Sequence, residues 1–301
     1  AGLYLAQDDY APALDYARRA FALGQAIKNS WIEMSSLNTI SSIYKDLGDS
    51  TSALYFGREY LKSATAYGSN WDRAVALTEI GLVYYDIVQD YRRARAEFEK
   101  SLRISINMND KLNEGVARSN IGRCCANLGD YAQALAYQNQ GLDLVSSMRN
   151  RYTETQGHDE LGRTYFSMGD YARALEHFQK GLAMAREMTM PGVEWECLYF
   201  LGRICENQGQ PDSAIGLYKQ AAKVLLGIRQ KIGGEEAEKS FMSVGEKHGV
   251  YRRLIELLIK RGRPDEAIQY LEESKSKMIQ DVFGDLKPKI QDERLSRDVG
   301  R

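Results

Sequence analysis

Seven alanines, Ala13, Ala53, Ala94, Ala134, Ala174, Ala214 and Ala267, occupy one local frame, and the first six stand 40, 41, 40, 40 and 40 residues apart. A chain that copies itself at such a period stacks one supersecondary unit on the next, so a solenoid is the expectation before any single helix is considered. The frame is clearest in Gly129-Asp130-Tyr131-Ala132-Gln133-Ala134-Leu135 and again in Gly169-Asp170-Tyr171-Ala172-Arg173-Ala174-Leu175.

Each unit reads as two helices. From Asn113 to Leu128, apolar or small residues recur at Val116, Ala117, Ile121, Cys124, Cys125 and Leu128, a stripe of helical period that no strand would show. Gly129 ends that helix, because glycine takes a left-handed cap at little cost. Asp130 then caps the next helix, whose buried stripe is Tyr131, Ala134, Leu135, Leu142 and Val145. Ala134 is small because two antiparallel helices cross there, and a larger side chain would push the axes beyond about 8–10 Å. Pro211 falls in the first turn of its helix, where it lacks only an N–H that no helical carbonyl would have received.

An apolar residue and Gly, an aromatic three later, then Gly-Asp/Asn-Tyr-x-x-Ala is the signature that these units resemble, that of the tetratricopeptide repeat (TPR). Leu161-Gly162, Tyr165, Gly169-Asp170-Tyr171, Ala174 and Phe178 match it, while Ser41 and Ile255 replace the first-helix Gly and Asp49-Ser50 lacks the tyrosine. The period of about 40 rather than 34 residues is similar to the long-repeat group that includes kinesin light chains and LGN-type scaffolds. The resemblance implies an all-α fold: a right-handed superhelix of antiparallel helix pairs, with about seven repeats, the first truncated. The units are expected near 1–28, 32–68, 72–109, 112–149, 152–189, 193–231 and 235–283, followed by a linker or tail over 284–301.

Both ends break the pattern. Tyr4 and Asp8-Asp9-Tyr10 fall on the later aromatic and Gly-Asp-Tyr positions, which puts Ala1 in the middle of a helix and suggests a piece of a longer protein. At the other end the alanine spacing stretches from 40 to 53, with longer helices expected over Tyr218–Gln230 and Ala237–Lys260. Gly233-Gly234-Glu235-Glu236-Ala237, Gly262-Arg263-Pro264-Asp265-Glu266-Ala267 and Glu272-Glu273-Ser274-Lys275-Ser276-Lys277-Met278-Ile279 resemble the segment that closes the array of TPR-CHAT proteins. In those proteins it joins the repeats to a caspase-like peptidase domain.

Composition narrows the function classes. Forty basic residues against forty-one acidic ones leave a net charge of −1, without the footprint of a nucleic-acid binder. No run approaches the roughly eighteen apolar residues of a membrane span. Four cysteines suggest buried thiols in a reducing, cytoplasmic setting rather than a disulfide framework. His158, His177 and His248 have no Cys, His or carboxylate at ligand spacing on one helix face, so no metal is expected, and no cofactor. His248-Gly249 superficially matches the His-Gly of caspase-like peptidases but falls in an expected long helix. No nucleophile, base and orienting group share a frame, so the chain itself is not expected to be an enzyme.

One pattern exceeds packing. Ile121-Gly122-Arg123, Leu161-Gly162-Arg163 and Leu201-Gly202-Arg203 repeat an arginine at one frame position in three consecutive units. The family resemblance implies that this position faces the concave groove, which makes a ladder with steps of about 10 Å. Guanidinium forks suit carboxylates and main-chain carbonyls, so the ladder is expected to hold an extended protein or peptide segment carrying acidic groups. Asn127, Asp159, Phe166, Tyr199 and Asn207 join it as groove candidates, with Ser119, Gln156, Glu196 and Glu206 as neighbours. Asp159 and Glu206 could equally neutralise the arginines from within. The functional expectation is a binding scaffold: either the sensor region of a TPR-CHAT peptidase or a stand-alone adaptor of LGN or kinesin-light-chain type.

Overall fold

A computed structural model describes residues 10–231, 241–242 and 246–274. Among them run thirteen α-helices: α1 (Tyr10–Ala26), α2 (Ser30–Asp46), α3 (Ser50–Ala66), α4 (Asn70–Val83), α5 (Tyr91–Asn107), α6 (Lys111–Asn127), α7 (Tyr131–Ser147), α8 (Arg151–Ser167), α9 (Tyr171–Glu187), α10 (Pro191–Asn207), α11 (Pro211–Arg229), α12 (Lys247–Lys260) and α13 (Pro264–Ser274). Each packs on the next, giving an all-α solenoid of antiparallel pairs that begin at α2, α4, α6, α8, α10 and α12, preceded by α1. The expected first helix before Tyr10, the Gly233-Gly234 interruption, the part of the closing segment after Ser274 and the tail over 284–301 lie outside the described residues.

Local chemistry sets the helix lengths. Asn29, Asp49, Ser69, Asp90, Asp110, Asp130, Asn150 and Asp170 each accept a hydrogen bond from a backbone N–H in the following first turn. That satisfies a donor which the helix cannot. Where this series stops, at Met190 and Gln210, Pro191 and Pro211 occupy the first turn instead. Past the first helix of most pairs the chain turns left-handed at Gly48, Gly129, Gly169, Gly209 and Gly262, with φ between 70° and 85°.

The one 41-residue step has a structural cause. Helix α4 runs on into a π turn, Tyr84–Val88, and closes with Gln89 in the left-handed region at φ 57°. A π turn winds one more residue into the same length of helix. The inserted residue is thereby absorbed without shifting Asp90 or Ala94 from the frame of the later repeats.

Packing explains the frame itself. All seven register alanines are fully buried. Opposite them, a Cβ on Gly81, Gly162 or Gly202 would fall 2.5–2.7 Å from Phe98, Phe178 or Tyr218, so the second-helix ring lies directly on the first-helix glycine. In the pair that has Ser41 there, its hydroxyl donates to the Ala53 carbonyl at 2.9 Å. The buried residues of α8 to α13 form one continuous cluster that includes Tyr218, Leu225, Tyr251 and Leu254.

Candidate functional site

The first helices of the pairs line a groove enclosing about 1200 Å³, which runs from Lys45 on α2 past α6, α8 and α10 to Lys247 at the start of α12. All three ladder arginines line it, with Asn127, Gln156, Asp159, Phe166 and Glu196. They are held by one backbone geometry but differ in what surrounds them.

Arg123 hydrogen-bonds Asn120 at 3.1 Å and pairs with Asp86 at 3.3 Å and Glu160 at 3.7 Å, its guanidinium 4.1 Å from the centre of the Tyr85 ring. Arg163 is clamped between Asp159 and Glu196, both at 2.6 Å, and lies 4.7 Å from the Phe200 ring centre. Arg203 has no ion pair among the described residues. It sits over Phe166 at 4.5 Å, with Phe200 at 5.6 Å and Tyr199 at 5.7 Å. Cation–π contact positions a guanidinium while leaving its N–H edge unneutralised.

Frame positions explain the contrast. Arg163 has Asp159 and Glu160 four and three residues before it; forty residues later the same positions hold Tyr199 and Phe200 before Arg203. Internal neutralisation therefore operates at two of the three arginines. Asp159 takes part in it, whereas Glu206 faces elsewhere, accepting from the Tyr218 hydroxyl and pairing with Arg253 at 3.3 Å. Burial pushes the carboxyls of Glu160 and Glu196 above the usual carboxylate range, with Arg123 and Arg163 respectively opposing the shift. Keeping both ionised costs desolvation, which the arginines offset.

The remaining expected residues divide. Asn127 donates to the Tyr85 hydroxyl at 2.6 Å and to the Arg123 carbonyl at 3.0 Å. Ser119 donates to Glu160. Tyr199 is buried, and a Cβ on Gly249 would approach its hydroxyl to 2.8 Å, so it supports Arg203 from below rather than lining the groove. Asn207 is exposed at the end of α10 and is not brought to the groove. Reading the arginine frame alone missed Glu160 and Phe200, although both lie three residues before a ladder position.

Sequence spacing also hid a contact between histidines. His158 on α8 and His177 on α9 belong to one helix pair, and their Nδ1 atoms lie 3.0 Å apart. Burial, and then the proximity of His158, lowers His177 to about 4, so both rings are neutral at pH 7. Among the described residues no three His, Cys, Asp or Glu side chains gather as a metal site, and no helix is long and apolar enough to cross a membrane. Burial raises the Cys124 thiol to about 12, which keeps it protonated and inert.

Residues 72–147 and 158–226 match the tetratricopeptide repeat family. No curated protein sequence matches the chain. Among solved structures, the apo form of RapI is similar over 96% of both chains at 16% identity, with a TM-score of 0.65. A Rap protein complexed with competence and sporulation factor aligns with 86% of this chain and 72% of its own at 18% identity and TM-score 0.61. BtubC (BKLC) from P. vanneervenii aligns with 75% and 93% at 15% identity and TM-score 0.59. In fold the chain is a TPR solenoid, the architecture of a protein-binding scaffold.

Proposed function

We propose that the groove captures an extended segment of a partner protein or a peptide, and that an acidic group of that segment docks on Arg203. The supporting observation is the asymmetry of the ladder: Arg123 and Arg163 are neutralised by Asp86, Glu160, Asp159 and Glu196, and Arg203 by no carboxylate among the described residues. A guanidinium held against aromatic rings binds a carboxylate at two points without first breaking an internal ion pair. A Rap neighbour complexed with competence and sporulation factor supports a protein or peptide ligand. On this reading the role is non-catalytic, and the four free cysteines support a reducing, cytoplasmic setting.

Selection of displayed random peptides on the isolated chain tests this reading. Recovered sequences should be enriched in Asp or Glu and should be lost on Arg203→Glu. Equal recovery by that variant rejects the groove assignment.

The wider role we infer is regulatory: the array senses a partner for a TPR-CHAT type of peptidase, on the resemblance carried by Gly262–Ala267 and Glu272–Ile279. It requires that the parent sequence continue beyond Arg301 into a strand-rich domain with a His and a Cys. A parent sequence without one leaves the adaptor reading, of kinesin-light-chain or LGN type.

A further inference from the structure

A second recess lies away from the groove, between α3, α4 and α5, and encloses about 400 Å³. Leu61, Leu77 and Ile104 form its apolar floor, and Arg73, Lys100 and Arg103 stand around it; its lining contains no carboxylate. The size is within the range of small-molecule pockets, roughly 300–1000 Å³.

The equivalent positions of other repeats show what is unusual here. Arg73 occupies a column that is acidic in four other repeats: Glu33, Glu114, Glu154 and Glu194 stand at the same frame position, and only the last pair, with Lys247, also departs from it. In two of those repeats, at Glu114 and Glu194, the glutamate is paired and the recess is bridged by an arginine. Arg118 pairs with Glu114 at 2.8 Å and reaches Gln140 on the next second helix at 2.6 Å. Arg186 pairs with Glu194 at 2.9 Å and reaches Gln220 at 2.9 Å. In the α3–α5 recess the Glu194 position is Arg73, the Arg186 position is Thr65, and the position of Gln140 and Gln220 is Lys100.

The charge inversion leaves donors unmet. Arg73 Nη1 donates to Asn70 at 3.0 Å, but its Nε is buried with no hydrogen-bond partner. Arg103 has no ion pair among the described residues, whereas Lys100 is paired with Glu97 at 2.8 Å. A buried charged donor without a partner is costly, and an anion that drew the Arg73 guanidinium toward the recess would relieve that cost.

We propose that this recess binds an amphiphilic organic acid, its carboxylate held by Arg73 and Arg103 and its aliphatic body laid over Leu61, Leu77 and Ile104. The charge complementarity selects an anion, and the apolar leucine and isoleucine floor selects an aliphatic rather than a sugar or nucleotide body. This inference is independent of the groove reading.

Calorimetric titration with sodium decanoate, alongside the neutral decanol, tests it. The wild-type chain should take up one decanoate per molecule, and decanol should bind at least ten-fold more weakly. Arg73→Gln and Arg103→Gln should each weaken decanoate about ten-fold, the loss expected for one charged hydrogen-bonding partner. The double variant Thr65→Arg with Arg73→Glu installs the pair that the α9–α11 recess carries, so it should keep the wild-type helical circular dichroism and lose decanoate. Absence of saturable decanoate binding, equal affinity for decanol, or undiminished binding by the double variant would each overturn the proposal.

Discussion

In the helix pair α8–α9 the interior positions carry His158, Asp159, Glu160 and His177; forty residues on, in α10–α11, the same positions carry Leu198, Tyr199, Phe200 and Leu217. The backbones share their register alanine and their glycine-on-ring contact, at Gly162 with Phe178 and at Gly202 with Tyr218, although the side-chain caps of the first pair give way to Pro191 and Pro211 in the second. What differs is how each pair holds its groove arginine. The first uses opposite charge and the second uses aromatic faces, so an identical frame yields one arginine paired with carboxylates and one with no carboxylate partner among the described residues.

The sharpest way to break that comparison is to remove each arginine and measure stability by urea denaturation. Arg163→Ala leaves Asp159, whose side chain is 7% exposed, and Glu196 without their shared cation. A loss of about 3 kcal/mol is expected, the low end for breaking a buried ion pair, because Glu196 keeps some water. Arg203→Ala should cost about 1 kcal/mol, since only ring contacts go. Equal losses would show that the carboxylates do not hold Arg163.

The histidines give the next largest effect, and its sign follows from the direction of the shift. His177 is depressed from 6.5 to about 4, so between those values the unfolded chain binds more protons than the folded one. Stability contributed by the neutral ring is full above about 6.5 and is lost as the pH falls toward 4, by about 2 kcal/mol for a half-buried imidazole. Installing the residues of the neighbouring pair, His158→Leu with His177→Leu, should remove that part of the pH dependence. Urea midpoints at pH 7 and 4.5 that shift equally in both proteins would assign the acid loss to other groups.

How much of this was legible in the sequence depends on whether the governing contact is local. The alanine register, the capping aspartates and the helix-ending glycines are contacts within a few residues, and they set helix type and pairing. The 41-residue step was visible, but that it is spent in a π turn at Tyr84–Val88 depends on how α4 keeps its packing while gaining a residue. In the site, the three arginines followed from periodicity. Their differing states did not, because Asp86 reaches Arg123 across 37 residues and Glu196 reaches Arg163 across 33. The His158–His177 contact spans two helices, where single-helix ligand spacing carries no signal.

Binding should separate the pairs in the opposite order to stability. With an acidic peptide recovered on the wild-type chain, Arg203→Gln should weaken binding about ten-fold, the value of one charge-assisted contact. Arg163→Gln should weaken it less, because that guanidinium is already committed to Asp159 and Glu196. Fluorescence anisotropy at two salt concentrations reads both variants. A larger loss at Arg163 would move the docking point to the middle of the groove.

The smallest effect is expected where the frame repeats but the surroundings do not. Asn127 and Asn207 occupy one frame position eighty residues apart, yet only Asn127 lines the groove and donates to Tyr85, whose ring lies under Arg123. Asn127→Ala should therefore cost about 1 kcal/mol of peptide affinity or stability through the Tyr85–Arg123 stack. Asn207→Ala, at an exposed helix end, should stay within about 0.5 kcal/mol on both measures. If Asn207→Ala instead weakened the peptide ten-fold, the bound segment would extend past the end of α10, and periodicity alone would be a better guide to the contact surface than the observed groove lining.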